Sequence, residues 1–126
     1  MKITGVEATP LKTRSVIVQI STDEGISGIG ECTPMNLEVL AHFVNTALQP
    51  LLIGEDPLEV DKLWNAMLLR TYKLGPHGVQ PGAMVGVGIA LWDILARSLA
   101  CRFTLCWAVR TGTESRCTVQ LAAALR

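Results

Sequence analysis

The spacing of apolar positions changes once along this chain, just after Thr33. Before that point it alternates. Val16, Val18 and Ile20 recur at every second residue between Arg14 and Thr22, amid β-branched neighbours, which predicts a strand with those three side chains on one face. Asp23-Glu24-Gly25 supplies turn chemistry, with Gly25 free to take positive φ. Ile26 to Thr33 then returns as a partner strand, and its Gly28 and Gly30 predict a bulge or a close backbone approach. The opening stretch from Lys2 to Thr9 carries Ile3, Val6 and Ala8, is interrupted by Pro10, and adds a third antiparallel strand. The expectation is a meander over residues 2–33.

After Thr33 the period becomes helical. Asn36 can cap a helix in which Leu37, Leu40, Val44 and Leu48 recur at three- and four-residue steps, giving a helix near 36–48 that Pro50 and Gly54 break. A second helix, near 57–72, starts at Pro57 with Asp56 as N-cap. Its apolar stripe is Leu58, Val60, Leu63, Trp64, Met67 and Leu68. Gly75-Pro76-His77-Gly78 and Pro81-Gly82 bracket a loop. A third helix, near 83–100, is apolar on nearly every side until Asp93 and Arg97, so it should be buried all round. Trp64 and Trp92 are read as core. The fold class is α+β: a three-stranded antiparallel meander followed by a helical bundle.

Composition narrows the functions open to such a fold. The 126 residues are enough for one domain and too few for a (β/α)₈ barrel, which takes about 250. Eleven basic residues balance eleven acidic ones, so the basic excess of a nucleic-acid binder is missing. No apolar run is read as a membrane span, and the amino terminus lacks the apolar core of a secretion signal. The expected location is the cytoplasm. Cys32, Cys101, Cys106 and Cys117 form no C-x-x-C pair, and neither His42 nor His77 lies near a close cysteine pair, which argues against zinc.

Four segments in order carry a resemblance. They are the opening Met1-Lys2-Ile3-Thr4; the hairpin Thr22-Asp23-Glu24-Gly25-Ile26-Ser27-Gly28-Ile29-Gly30-Glu31; Leu52-Ile53-Gly54-Glu55-Asp56-Pro57 followed by Leu63-Trp64; and Ala90-Leu91-Trp92-Asp93. Together they resemble the N-terminal capping domain of the mandelate racemase and muconate-lactonizing enzyme family, in the enolase superfamily. The match covers residues 1–100. The resemblance implies a cap over the mouth of a (β/α)₇β barrel that this chain lacks. In that family the barrel supplies Mg²⁺ ligands and the base that removes the proton α to a substrate carboxylate. No catalytic residue and no metal ligand is therefore assigned here, and Mg²⁺ is expected only in an intact relative with its barrel. The implied partners are the missing barrel, a small carboxylate substrate and, for the intact enzyme, further copies of itself. Gly88 departs from the family, which usually has an acidic residue there, and Arg97 stands where Lys is usual.

After Ala100 the resemblance stops. The family continues with P-V-Y-x-L-L-G-G, whereas this chain reads Cys101-Arg102-Phe103-Thr104-Leu105-Cys106-Trp107-Ala108. Codons built from the third base of one residue and the first two of the next recover that text. Cys106 and Trp107 give Leu whichever Cys codon is used, and Trp107 and Ala108 give Gly. Cys101 to Thr104 can give Pro-Val-Tyr, and Gly112 to Cys117 can give Asp-Arg-Val-Thr-Leu. Residues 101–126 are accordingly read as a frameshifted tail, the alternative being a genuinely divergent one.

The candidate substrate-specificity residues follow from the resemblance. Arg14 falls in the first capping loop, where a planar guanidinium suits a carboxylate, and the alternative is a solvated strand-edge charge. Thr33, Pro34 and Met35 match the second capping loop, beside a helix cap by Asn36. His77, in a Gly/Pro loop with Lys73, has no carboxylate or nucleophile at motif spacing and is read as a surface residue. Glu31 and Asp93 are a nominal carboxylate pair that the sequence does not bring together. Besides an enzyme fragment, the chain can be read as a binding or dimerisation module using the apolar third helix, or as a non-functional truncation product.

Overall fold

A computed structural model describes residues 1–75 and 77–100. The tail beginning at Cys101 lies outside the described residues. Strands β1 (Ile3–Pro10), β2 (Val16–Thr22) and β3 (Ser27–Glu31) form an antiparallel sheet in the order β1-β2-β3. Val6 pairs with Ile20 and Ala8 with Val18, while Val18 also pairs with Gly30. Val16, Val18 and Ile20 are fully buried, so the register read from their alternation holds.

The helices differ from expectation at their ends, each for a local reason. Helix α1 (Leu37–Phe43) starts where Asn36 caps it, its side-chain oxygen accepting from the Val39 amide at 3.4 Å. The helical path then passes through a π-turn (Val44–Leu48) into α2 (Gln49–Leu52), so Pro50 does not end it. Widening of the ladder before a proline relieves the ring's conflict with the preceding turn. The path ends at Leu52, before Gly54 at φ 84°.

Helix α3 (Val60–Thr71) begins later than predicted, and Glu59 occupies its N-cap position. Asp56 instead closes the preceding turn, accepting from the Leu58 amide at 3.0 Å. A 3₁₀ turn (Tyr72–Leu74) follows. Helix α4 (Val79–Ser98) begins four residues earlier than the expected start at 83, with Pro81 in its first turn, where a missing N–H costs nothing. Gln80 and Thr71 are buried together. The Gln80 amide donates to Thr71 Oγ1 at 2.7 Å, and that hydroxyl donates to the Met67 carbonyl at 2.6 Å, tying the end of α3 to the start of α4.

Helix α4 lies across the inner face of the sheet. By length and mean hydropathy, 1.4, it is apolar enough to cross a membrane, contrary to what the pattern of the sequence suggests; its apolar face is spent on the core, where Met84, Val87, Leu91 and Ile94 are buried. It is not buried all round, because Val85 and Ile89 stay exposed and Trp92 is half-buried. Trp64 and Leu68 of α3 are likewise exposed and do not join the core.

Both outer strands have free backbone groups engaged by helix side chains. On β1, the Ala8 amide donates to Asn45 Oδ1 at 2.8 Å, Asn45 Nδ2 donates to the Ala8 carbonyl at 3.1 Å, and Gln49 Nε2 donates to the Val6 carbonyl at 2.9 Å. On β3, the Ile29 amide donates to Asp93 Oδ2 at 3.0 Å. Side chains from the helices thus cover edges that would otherwise template pairing with another chain.

Candidate functional site

Three chain segments converge at one end of the sheet. The turn between β1 and β2 reverses between Pro10 and Val16, which pair. The Leu11 amide donates to the Ser15 carbonyl at 2.7 Å and the Arg14 amide to the Leu11 carbonyl at 3.2 Å. This tight closure places Arg14 at φ 68°, left-handed for a non-glycine residue, and its side chain is exposed. Strand β3 leaves the sheet at the same end, where the Cys32 amide donates to the Val16 carbonyl at 2.9 Å. One residue later the Thr33 amide donates to the Gly82 carbonyl of α4 at 3.3 Å. The second loop, Thr33 to Asn36, is therefore held between the sheet and the amino end of α4.

That arrangement borders a shallow, open depression of about 370 Å³ lined by Thr33, Met35, His77, Gly78, Pro81, Gly82 and Val85. Thr33 and Met35 both line it. Arg14 and Pro34 do not line this depression, although Arg14 shares its end of the sheet. His77, expected as a surface residue, is exposed and stands at the edge of the depression. Met35, which lines the same depression, is 42 positions away along the chain (77 − 35).

Glu31 and Asp93 do not act as a pair. The Ser15 hydroxyl donates to Glu31 Oε1, whereas Asp93 accepts from the Ile29 amide and, at 3.0 Å, from Arg97 Nε. That contact to Asp93 raises the pKa of Arg97. Lys62 is raised in the same way by Glu59 and Glu55 at the start of α3. Cys32 is buried against Gly86, and the loss of solvation pushes its thiol from 9.0 up to about 11. It is a packing group, and the nearby Glu31 charge further disfavours the thiolate.

Among the described residues no three His, Cys, Asp or Glu side chains converge as metal ligands. The donor set for a hard divalent cation, several carboxylate oxygens on one centre, does not fit the residues here.

The comparisons with known proteins agree with that geometry. The family model "Mandelate racemase / muconate lactonizing enzyme, N-terminal domain" matches residues 4–103. The chain is 37% identical over 102 residues to a D-mannonate dehydratase of Rhizorhabdus wittichii, covering 78% of this chain and 25% of that one. It is 38% identical to a D-galactonate dehydratase of Verminephrobacter eiseniae over 79% of this chain and 26% of the relative. Among solved structures, a mandelate racemase/muconate lactonizing protein from Paracoccus denitrificans complexed with magnesium superposes with TM-score 0.71. It shares 33% identity over 78% of this chain and 28% of that one. The 3,6-anhydro-D-galactonate cycloisomerase of Zobellia galactanivorans superposes with TM-score 0.69, at 28% identity over 79% of this chain and 29% of that one. The chain belongs to the mandelate racemase/muconate lactonizing enzyme family, as its N-terminal capping domain. It spans about a quarter of the length of these curated relatives.

Proposed function

We propose that this chain is the substrate-capping domain of a Mg²⁺-dependent, cytoplasmic enzyme that removes the proton α to the carboxylate of an acid sugar, and that it is inactive alone. The observation that carries this reading is the depression where Thr33 and Met35 meet the amino end of α4, open at the end of the domain that also bears Arg14. The dehydratase names of its relatives supply the substrate class. Arg14 would meet a substrate carboxylate, while Thr33, Pro34 and Met35 would set the shape of the pocket roof. The metal and the base belong to the barrel, which is the partner this cap requires, and the intact enzyme would be a homo-oligomer.

The same reading extends to the tail. Residues 101–126 are the out-of-frame product of a single-base slip near codon 101, and the other frame continues the family sequence into the barrel. Sequencing DNA across codons 95–110 tests this directly, and a frame that fails to encode P-V-Y-x-L-L-G-G overturns it. For the activity, the purified 126-residue chain is incubated with Mg²⁺ and D-mannonate or D-galactonate in deuterated buffer. No exchange at the α-carbon is expected. Exchange or dehydration by this chain alone would overturn the reading and direct attention to Arg14, Lys73 and His77.

A further inference from the structure

Glu31 joins the stems of the two capping loops. It is the last residue of β3, and Cys32 leads directly from it into the second loop at Thr33. Its backbone pairs with Ile17 of β2. Its side chain reaches past that partner, and Oε1 accepts from the hydroxyl of Ser15, the residue next to Arg14 in the first loop. Ser15 lies two positions before Ile17, so it is a diagonal neighbour of Glu31 on the outer face of the sheet, within reach of a long side chain.

The first loop has little else to hold it to that strand. Its two backbone hydrogen bonds, from the Leu11 amide to Ser15 and from the Arg14 amide to Leu11, close it on itself. The ladder between β2 and β3 stops at the Cys32 amide and the Val16 carbonyl, one residue short of Ser15. Arg14 meanwhile sits at φ 68°, a conformation that a non-glycine residue keeps only where its surroundings hold it. Among the described residues no carboxylate is paired with its guanidinium, so that charge stays available. A free cation on a loose turn samples many directions, whereas one on a turn fixed to the sheet keeps a single orientation at no further entropic cost on binding.

We propose that Glu31 is a positioning residue for Arg14: by holding Ser15 it fixes the first capping loop to the strand that carries the second, and the two loops move as one unit. Its purpose rests on the substrate-capping reading, while the coupling itself is a property of this chain alone. Glu31 acts through Ser15 and has no contact with substrate in this role.

Amide hydrogen exchange of the full chain, read residue by residue by NMR, tests it. Ser15→Ala and Glu31→Ala should each speed exchange at the Leu11 and Arg14 amides by about tenfold, the scale of one hydrogen bond to a charged group. Ser15→Ala should also speed exchange at Thr33 by about threefold, although Thr33 belongs to the other loop. Glu31→Gln keeps an oxygen that can accept from Ser15 and should stay within about twofold of the parent. The double variant Ser15→Ala/Glu31→Ala should exchange no faster than either single one, because both remove the same bond. Unchanged rates at Leu11 and Arg14 overturn the proposal. So does a Thr33 rate indifferent to Ser15→Ala, a Glu31→Gln variant as fast as Glu31→Ala, or equal acceleration at Val18 and Ile20 in the central strand, which would make the pair a contributor to global stability only. No substrate enters these measurements, so such a failure leaves the substrate-capping reading standing, and that reading fails separately by exchange at the α-carbon of D-mannonate or D-galactonate.

Discussion

Gly30 of β3 and Gly86 of α4 touch backbone to backbone: a Cβ built on Gly30 would lie 2.0 Å from the Gly86 carbonyl oxygen and 2.7 Å from the Ala90 amide nitrogen. No side chain relaxes a clash with a helix backbone. Gly28 repeats the contact one pleat away, with the Ala90 carbonyl at 2.1 Å from its would-be Cβ. The helix therefore rests on the strand at a distance only glycine allows, and the second capping loop leaves the sheet just beyond it. Gly30→Ala should cost more than about 3 kcal/mol, the scale of overpacking that cannot relax. Urea denaturation of the variant, or its failure to accumulate in soluble form, checks this.

Gly86 and Gly88, both inside α4, should respond with opposite signs. At Gly86 a Cβ would meet Cys32 Sγ at 2.5 Å and the Cys32 amide nitrogen at 3.1 Å, so Gly86→Ala should be destabilising despite the roughly 1 kcal/mol gained in helix propensity. Cys32→Ala should recover part of that loss in the double variant. At Gly88 the nearest neighbour is the edge of the Trp64 ring, at 3.1 Å, and that ring is partly exposed and free to shift. Gly88→Ala should be neutral or stabilising by up to about 1 kcal/mol. Denaturant midpoints of the three variants decide it.

Cys32 gives the fold an alkaline limit. Its thiol titrates at about 11 in the folded chain against 9.0 when free. The unfolded state therefore loses its proton first as pH rises, and stability falls between those two values. Below pH 9 the group makes no difference between the states. The loss should approach roughly 2 kcal/mol by pH 11, because each tenfold difference in proton affinity between the two states is worth about 1.4 kcal/mol. Comparing stability curves of the parent and Cys32→Ala isolates the effect, because the three tail cysteines are common to both.

Asn45 should matter more than a half-buried amide usually does. It satisfies both the amide and the carbonyl of Ala8 on the outer strand. Asn45→Leu would leave both without a partner, at about 1–3 kcal/mol, and would bare the β1 edge. Thermal melts should show the lower stability, and light scattering on heating should show earlier aggregation than in the parent.

Arg14 holds a left-handed conformation that glycine adopts freely. Arg14→Gly should leave stability unchanged or raise it by up to about 1 kcal/mol, read from the urea midpoint. A loss of stability there would show that the arginine side chain has a structural role, in place of the substrate-facing one proposed for it.

The sequence by itself determined the sheet, its register and the order of elements. Alternation at Val16, Val18 and Ile20 leaves only one face to bury, and a one-residue slip would expose all three. It also carried the family, because the hairpin and the Ala90-Leu91-Trp92-Asp93 helix are local patterns whose residue types answer local demands. Helix ends were less legible. Pro50 reads as a breaker, yet the ladder widens to admit it, and Pro81 reads as loop, yet it sits in a first turn where its missing N–H does no harm. Tertiary structure alone decided which apolar residues are core. Trp64 and Leu68 share the period of Leu63 and Met67, yet Leu68 stays exposed, and Trp64 only rests its ring edge on Gly88 of α4 and remains 37% exposed. It alone placed His77 opposite Thr33 and Met35, since that meeting depends on a hydrogen bond from Thr33 to Gly82 across the fold. Local pattern reports what a residue's own turn or strand requires; which distant side chain it faces is set by how the layers stack, and no spacing along the chain encodes that.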